Sequence, residues 1–370
     1  MYYKKTKRAA ARSRRNIIKY ILIGASAAVA VIILFFYPGV LMHESFTIQP
    51  SDNLIDQNAK EVNGSILYMK DTALFYDTAE GENTWELPLD GTFDKFAVSP
   101  AAICTYNENT AQFFTADKQQ LFNISLEASI EEVVCGKTSA AVLAKTTYED
   151  GSFNYNIYLY SLTGTNTGMI DMASRQVIDF GIAGDTDTIW IQSLDTTGAA
   201  AVSYITTYKA DSTMTGSIAV DNQLIENVFI TDNTIYSSGT NSLDTYSFFG
   251  ESLNGTLIYG WKPYDVAISG SDINILYVPR NEESEYITCG KIMKTDLTST
   301  TIYYPNEIFY VCANMSNSYA FSPYNIYIYN DNGELINTVE WDKPITGAKK
   351  LNNDYALIWD ADGSHIFALS

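Results

Sequence analysis

The chain has 370 residues and a formal net charge of −20, but that charge is unevenly spread. The first twenty residues hold eight basic groups and no acid, leaving 15 basic against 43 acidic groups, a net of −28, in residues 21–370. So acidic a body repels nucleic acid phosphates, which excludes DNA or RNA as its partner, and two histidines are too few for a His-rich zinc or iron site.

The chain opens with a basic tail, residues 1–16, followed by an apolar segment, 17–42. From Ile21 to Met42 there are 22 residues without a charge. About 20 residues of helix cross a bilayer core, so the segment predicts one transmembrane helix embedded in the lipid bilayer. Lys19 can snorkel to the headgroups. Phe35, Phe36 and Tyr37 fall where an interfacial aromatic belt belongs, and Pro38-Gly39 ends the helix. The positive charge on the amino side predicts a cytoplasmic N-terminus and an extracytoplasmic remainder, residues 43–370. A cleaved signal peptide is the rival reading. It would have a shorter apolar run and a small-x-small cleavage site, whereas here the run continues into "FFYPGVLMHES". The segment therefore reads as an uncleaved signal-anchor.

After Glu44 one plan recurs about every forty residues: an alternating apolar strand, a short turn, a second strand, a third rich in aromatics, a Gly- or Asn-containing turn and a fourth strand. The unit 307–344 is the clearest, with "IFYVCA", "SYAFS", "NIYIYN" and "LINTVEW" as strands and "DNGE" as a tight turn. Residues 129–173 match it, placing Cys135 and Cys312 at the same position. The other units are 51–90, 91–128, 174–222, 223–261 (its last strand running to Trp261), 262–306 and a three-stranded remainder, 345–370. Four short antiparallel strands per forty residues predict an all-β fold, a β-propeller of about eight four-stranded blades preceded by the transmembrane helix. Seven blades is the alternative count, because the first strand of unit 51–90 is weakly marked. The segment 44–49 is expected to pair with the last blade and close the ring, removing the exposed edge.

"FYDTAEGENTW" (Phe75–Trp85) and "IYNDNGELINTVEW" (Ile328–Trp341) carry an Asp, a Gly and a Trp in order: Asp77, Gly81 and Trp85, then Asp331, Gly333 and Trp341. This resembles a degenerate form of the tryptophan-docking (PQQ-like) repeat of pyrroloquinoline-quinone-type propellers. The layout of tail, anchor and Tyr-rich repeats is also similar to a family of membrane-anchored proteins of unknown function from Gram-positive clostridia. The resemblance implies a propeller in a bacterial cell envelope and supplies no activity. With only Arg175 and Arg280 as arginines in the β region, a quinone cofactor is not expected.

Residues for chemistry are sparse. A catalytic triad would have to use His365, since His43 stands beside the membrane segment, and "ADGSHIF" reads as a hairpin turn entering a strand. Glu131-Glu132, Glu282-Glu283 and Glu285 read as solvated loop charge. "DADGSH" (Asp360–His365) and "NDNGE" (Asn330–Glu334) resemble calcium loops but lack the spacing, and Asp-Gly and Asn-Gly make hairpin turns unaided. No glycine-rich phosphate loop occurs. Cys104, Cys135, Cys289 and Cys312 form no C-x-x-C pair and read as buried strand residues; in an exported domain they can oxidise, with a pairing the sequence does not reveal. Tyr155, Tyr158, Tyr160, Tyr303, Tyr304, Tyr324, Tyr327 and Tyr329 recur at alternate positions, as inter-blade packing or as a binding surface. No catalytic, cofactor or metal residue is assigned. The expected function is a non-catalytic interaction platform with envelope or membrane proteins as partners. A receptor for wall carbohydrate or peptide and an acid-based hydrolase are the alternatives. An acidic pair facing the axial funnel would favour the hydrolase, a flat exposed aromatic patch the receptor.

Overall fold

A computed structural model describes residues 48–369 apart from 51–54, 56, 79–82, 90–92, 174, 185 and 281–284. The basic tail, the apolar segment 17–42 and residues 44–47 of the expected closing strand lie outside the described residues. Among the described residues every regular element is a strand, and no helix there is long and apolar enough to cross a membrane.

The chain enters through β1 (Ile48–Pro50) and then builds sheets in sequence order. Blade 1 is β2 (Lys60–Val62), β3 (Ser65–Lys70), β4 (Ala73–Thr78) and β5 (Asn83–Pro88); blade 2 is β6 (Lys95–Val98), β7 (Ile103–Tyr106), β8 (Thr110–Phe114) and β9 (Gln120–Ser125). Blade 3 is β10 (Ser129–Cys135), β11 (Ser139–Thr147), β12 (Phe153–Ser161) and β13 (Asn166–Asp171); blade 4 is β14 (Gln176–Ala183), β15 (Thr188–Asp195), β16 (Val202–Tyr208) and β17 (Met214–Val220). Blade 5 is β18 (Ile225–Ile230), β19 (Ile235–Gly239), β20 (Ser242–Tyr246) and β21 (Ser252–Leu257); blade 6 is β22 (Trp261–Ser269), β23 (Asp272–Pro279), β24 (Cys289–Lys294) and β25 (Ser299–Tyr303). Blade 7 is β26 (Tyr310–Ala313), β27 (Asn317–Phe321), β28 (Asn325–Asn330) and β29 (Leu335–Glu340). Blade 8 joins β30 (Gly347–Lys350), β31 (Tyr355–Asp360) and β32 (Gly363–Ala368) to β1, in the order β1-β32-β31-β30.

The fold is therefore an all-β propeller of eight four-stranded antiparallel blades. β1 pairs with β32 in the register Ile48 to Phe367, Gln49 to Ile366 and Pro50 to His365. Two strand assignments differ from expectation. The first strand of blade 1 is only three residues long, too short to show alternation. Trp261 opens β22 instead of ending blade 5, because Gly260 takes a left-handed φ of 80° and Trp261 N–H donates back to the Ile258 carbonyl at 3.0 Å, turning the chain.

Burial follows position in the blade. Second strands such as β7 and β19 are buried at every residue, since neighbouring blades cover both faces. Fourth strands such as β9 and β29 expose alternate residues on the rim. The apolar clusters lie between blades. Tyr106 and Phe113 of blade 2 pack with Val133 and Val142 of blade 3, Leu276 and Ile292 of blade 6 with Val311 and Ala320 of blade 7, and Ile66 and Tyr68 of blade 1 with Leu357 and Ile366 of blade 8. Each fully buried aromatic or branched side chain contributes about 2–3 kcal/mol.

Polar bonds through the turns between first and second strands tie one blade to the next. Asn63 Nδ2 donates to the Pro100 carbonyl at 3.0 Å, and Ser99 Oγ to the Gly136 carbonyl at 2.8 Å. Asn274 Nδ2 donates to the carbonyls of Asn314 and Met315, and Asn314 Nδ2 to that of Leu369. The strongest of these ties is Asp187, 1% exposed, whose carboxylate accepts from Lys137 N–H (2.8 Å), Thr138 N–H (2.6 Å), Thr138 Oγ1 (2.7 Å) and Ser139 Oγ (3.0 Å). Burial raises its pKa, but these four bonds outweigh it and hold the carboxyl below its ordinary value.

Asp187→Ala should strand four donors at the blade 3–blade 4 boundary and cost about 3–4 kcal/mol of stability in denaturant unfolding. A chain lacking residues 1–50 loses the β1–β32 ladder; it should melt lower by calorimetry, by about 3 kcal/mol for three paired residues, and self-associate through the uncovered edge of β32 in sedimentation.

Candidate functional site

The first strands of neighbouring blades lie side by side, β6 by β10, β10 by β14, β22 by β26 and β26 by β30, and so ring the axis. In four consecutive blades this strand is bulged at the same place. The register skips between Ile130 and Glu132 in β10, Val177 and Asp179 in β14, Ile225 and Asn227 in β18, and Pro263 and Asp265 in β22. Each bulge inserts one extra residue and re-aims the side chains beside it. Every one carries an acid: Glu131-Glu132, Asp179, Glu226 and Asp265. Glu131-Glu132 therefore lie within a strand rather than in a loop. Two residues between apolar neighbours break the two-residue alternation, which makes the stretch look like a loop. The pattern apolar-x-polar-apolar ("IEEV", "VIDF", "IENV", "PYDV") was the available signal. Glu285 lies between strands, and Glu282-Glu283 lie outside the described residues.

The first strands of blades 8, 1 and 2 are unbulged and carry lysines instead. Lys349 Nζ donates to the carbonyls of Gln57 (2.6 Å) and Ala59 (3.0 Å), Lys60 Nζ to that of Phe96 (3.2 Å) and Lys95 Nζ to that of Glu131 (3.3 Å). Each reaches into the following blade. The ring is thus basic on one arc and acidic on the other.

Two of the acids are neutralised within the chain. Arg280 grips Glu226 with both terminal nitrogens, Nη2 to Oε2 at 2.6 Å, and also donates to the Trp261 carbonyl. Lys350 Nζ, in an almost fully buried side chain, binds Asp265 Oδ2 at 3.0 Å and the carbonyls of Val266 and Ala313, each at 2.6 Å. Burial raises the Asp265 pKa, and Lys350 opposes that rise. Of the remaining three, Glu131, Glu132 and Asp179, the last two influence each other. Crowding by protein, then the like charge of Asp179, push the Glu132 carboxyl above its ordinary value against the pull of Lys60 and Lys95. Asp179 is raised chiefly by the same crowding. A raised carboxyl can hold a proton nearer neutral pH, the property a general acid uses.

A second feature lies between blades 4 and 5, on the face that carries the turns joining first to second and third to fourth strands. It is a groove of about 820 Å³ lined by Ala183, Thr186, Lys209, Asp232, Phe248 and Phe249 among others. Phe249 is 73% exposed. Thr207 Oγ1 donates to the Phe248 carbonyl at 2.7 Å, and Gly216 passes so close that a Cβ there would collide with that oxygen, so blade 4 holds the turn in place. Leu253 and Leu257 of β21 are also more than half exposed, but Leu253 lines a separate groove with Ser271, Thr295 and Leu297 of blade 6.

His365 is enclosed by structure. Its Nε2 lies 2.9 Å from Asp360 Oδ1, Trp341 Nε1 donates to Asp360 Oδ2 at 2.9 Å, and the Trp341 and His365 rings meet edge-on at 5.4 Å. The carboxylate thus joins blade 7 to blade 8. Trp85 stacks on Tyr76 at 4.9 Å, with Lys118 of blade 2 over its ring, so both tryptophans of the repeat contact the next blade. Asp77 instead accepts from the Tyr68 hydroxyl in the core. "NDNGE" and "DADGSH" form hairpin turns, Gly333 with φ 80° and Gly363 with φ 133°. Of the alternating tyrosines, Tyr160, Tyr304 and Tyr329 are buried and Tyr155, Tyr158 and Tyr327 half-buried, which makes them packing residues. Tyr303 and Tyr324 are exposed.

No family model matches the chain, and no curated protein matches it in sequence. Solved structures do. The WD40 domain of SCAP from fission yeast superposes with a TM-score of 0.58 at 10% identity, covering 88% of this chain and 98% of that one. A eukaryotic initiation factor gives 0.57 at 13% identity, over 86% and 88%. BamB from Moraxella catarrhalis, a PQQ-like repeat propeller, gives 0.51 at 11% identity, over 87% and 99%. At these identities the likeness is one of fold.

Burial raises the Asp360 pKa, but hydrogen bonds from His365, Trp341 and the Asp362 N–H bring it down to about 2. An unfolded Asp titrates near 3.9, so the stabilisation is complete above that value and lost as pH falls toward about 2. Asp360→Asn should flatten the melting temperature against pH in that window, measured by calorimetry, and lower it at pH 7.

Proposed function

We propose that the chain is a membrane-anchored, extracytoplasmic propeller that serves as a non-catalytic protein-interaction platform in the bacterial cell envelope. The apolar segment 17–42 holds it in the bilayer with the basic tail inside, and the propeller, residues 43–370, presents its loops to envelope or membrane proteins. The observation that carries this reading is the groove between blades 4 and 5. A phenylalanine left 73% exposed at the mouth of a pre-formed cleft is costly surface for a monomer, and buried aromatics anchor protein interfaces. Propellers lend themselves to this use because a rigid ring displays loops that vary without disturbing the blades. The negative surface selects for partners with basic rims.

The Glu132–Asp179 pair on the ring favours a second reading, an acid-based hydrolase in which the raised Glu132 donates the proton. Release of reducing sugar or peptide from wall material, abolished by Glu132→Gln, would establish it.

The platform reading is tested by crosslinking mass spectrometry of the full chain in detergent-solubilised host membranes. A reproducible protein partner should crosslink through Lys209 beside the groove, and Phe249→Ala should weaken its capture about tenfold or more with an unchanged melting temperature. Crosslinks confined to other blades, or capture unaffected by the substitution, would sink the assignment.

A further inference from the structure

Cys104 lies in β7 of blade 2, and Cys135 ends β10 of blade 3. β10 packs against both β6 and β7. The two cysteines are 0% and 7% exposed and share one apolar cluster with Ala97, Ala102, Ala140 and Val142. Their side chains interact directly across the blade boundary, and both are thiols in this structure. A small residue stands beside each on one side, Ala97 opposite Cys104 and Ala140 opposite Cys135 in their own sheets, while Phe113 of β8 faces Cys104 on the other. From this placement we infer a covalent site: Cys104 and Cys135 are the two halves of an inter-blade disulfide joining blade 2 to blade 3.

Burial fixes when the bond forms. The Cys104 thiol is pushed well above its ordinary pKa, chiefly by desolvation, and the thiolate is the species that attacks a disulfide. In the closed ring that thiolate is scarce and out of reach of oxidant, so the bond is made while the chain is still open. One cysteine attacks the disulfide of a protein or small-molecule oxidant, forming a mixed disulfide and releasing one thiol of the oxidant. The second cysteine attacks the mixed disulfide at the first cysteine's sulfur and releases the other thiol. Two cysteine thiols are oxidised, and the oxidant leaves as two thiols carrying the two electrons and two protons. Once formed, the bond constrains the unfolded chain between residues 104 and 135 and is shielded from reductant by the same burial.

The full chain, purified in detergent under reductant, is unfolded in guanidinium and refolded in mixed reduced and oxidised glutathione. Non-reducing digestion and mass spectrometry should recover a Cys104–Cys135 linked peptide, and the melting temperature should exceed that of the protein refolded under reductant by roughly 2–6 °C. The Cys289→Ala, Cys312→Ala double variant should keep both the link and the rise, and Cys104→Ala should lose both. Folded protein in which Cys104 and Cys135 are both alkylated when it is denatured in iodoacetamide after oxidative refolding, or a link that lowers the melting temperature, would overturn the assignment. This outcome does not depend on the platform reading, which the crosslinking experiment decides separately.

Discussion

Three residues at the entry of the domain, Ile48–Pro50, pair with the last strand in sequence, and the rest of the ring depends on that pairing. Without it blade 8 has three strands and an open edge. The same junction is secured where the chain passes into blade 1. Ile55 N–H donates to Ser364 Oγ at 3.0 Å, 309 positions away, and Trp359 Nε1 donates to the Ile55 carbonyl at 2.9 Å. Once the ends meet, every blade has a neighbour on each side, and the apolar clusters form between blades rather than within one of them. A lone blade would have both apolar faces in water. Stability is then a sum of nearest-neighbour contacts that becomes whole only when the circle does.

The polar groups follow the same geometry. The β region has few cations, and several are spent at the axis, where first strands come closest: Lys60, Lys95, Lys349, Lys350 and Arg280 each bond a neighbouring blade or pair an acid of the ring. This placement keeps the crowded centre near neutrality and leaves the excess of negative charge to the loops. A scaffold stiffened at its centre and at its turns can carry an exposed aromatic such as Phe249 in a fixed position, which a contact surface requires.

The repeat was legible because its physical demands are periodic. Second and third strands must be apolar on the faces that neighbouring blades cover, and the turns between them need Gly, Asn or Asp, so "NIYLYS" and "NIYIYN" announced the same strand in two blades. The closing role of the segment after Glu44 could be read from the missing outer strand of the last unit. What escaped the sequence depends on contacts between units. β2 is too short to show alternation. The bulged first strands violate alternation by one residue, which made Glu131-Glu132 read as loop charge and gave Asp179 no signal of its own. The Cys104–Cys135 contact joins different blades at different depths, so no spacing encodes it. The Phe249 groove arises only where the turns of two blades meet.

The bulges have a genetic corollary. Each differs from a regular ladder by a single inserted residue, at Glu131, Ile178, Glu226 or Tyr264. Loss of one codon there would realign a first strand with its partner and re-aim its acid, or in β18 remove it, since Glu226 is itself the inserted residue, leaving the outer three strands of that blade in register. Gain of one codon in a lysine-bearing first strand would do the reverse. Insertions and deletions, ordinarily the most damaging changes to a β-sheet, are in these strands a route by which a lineage can redraw the charge around the axis one blade at a time.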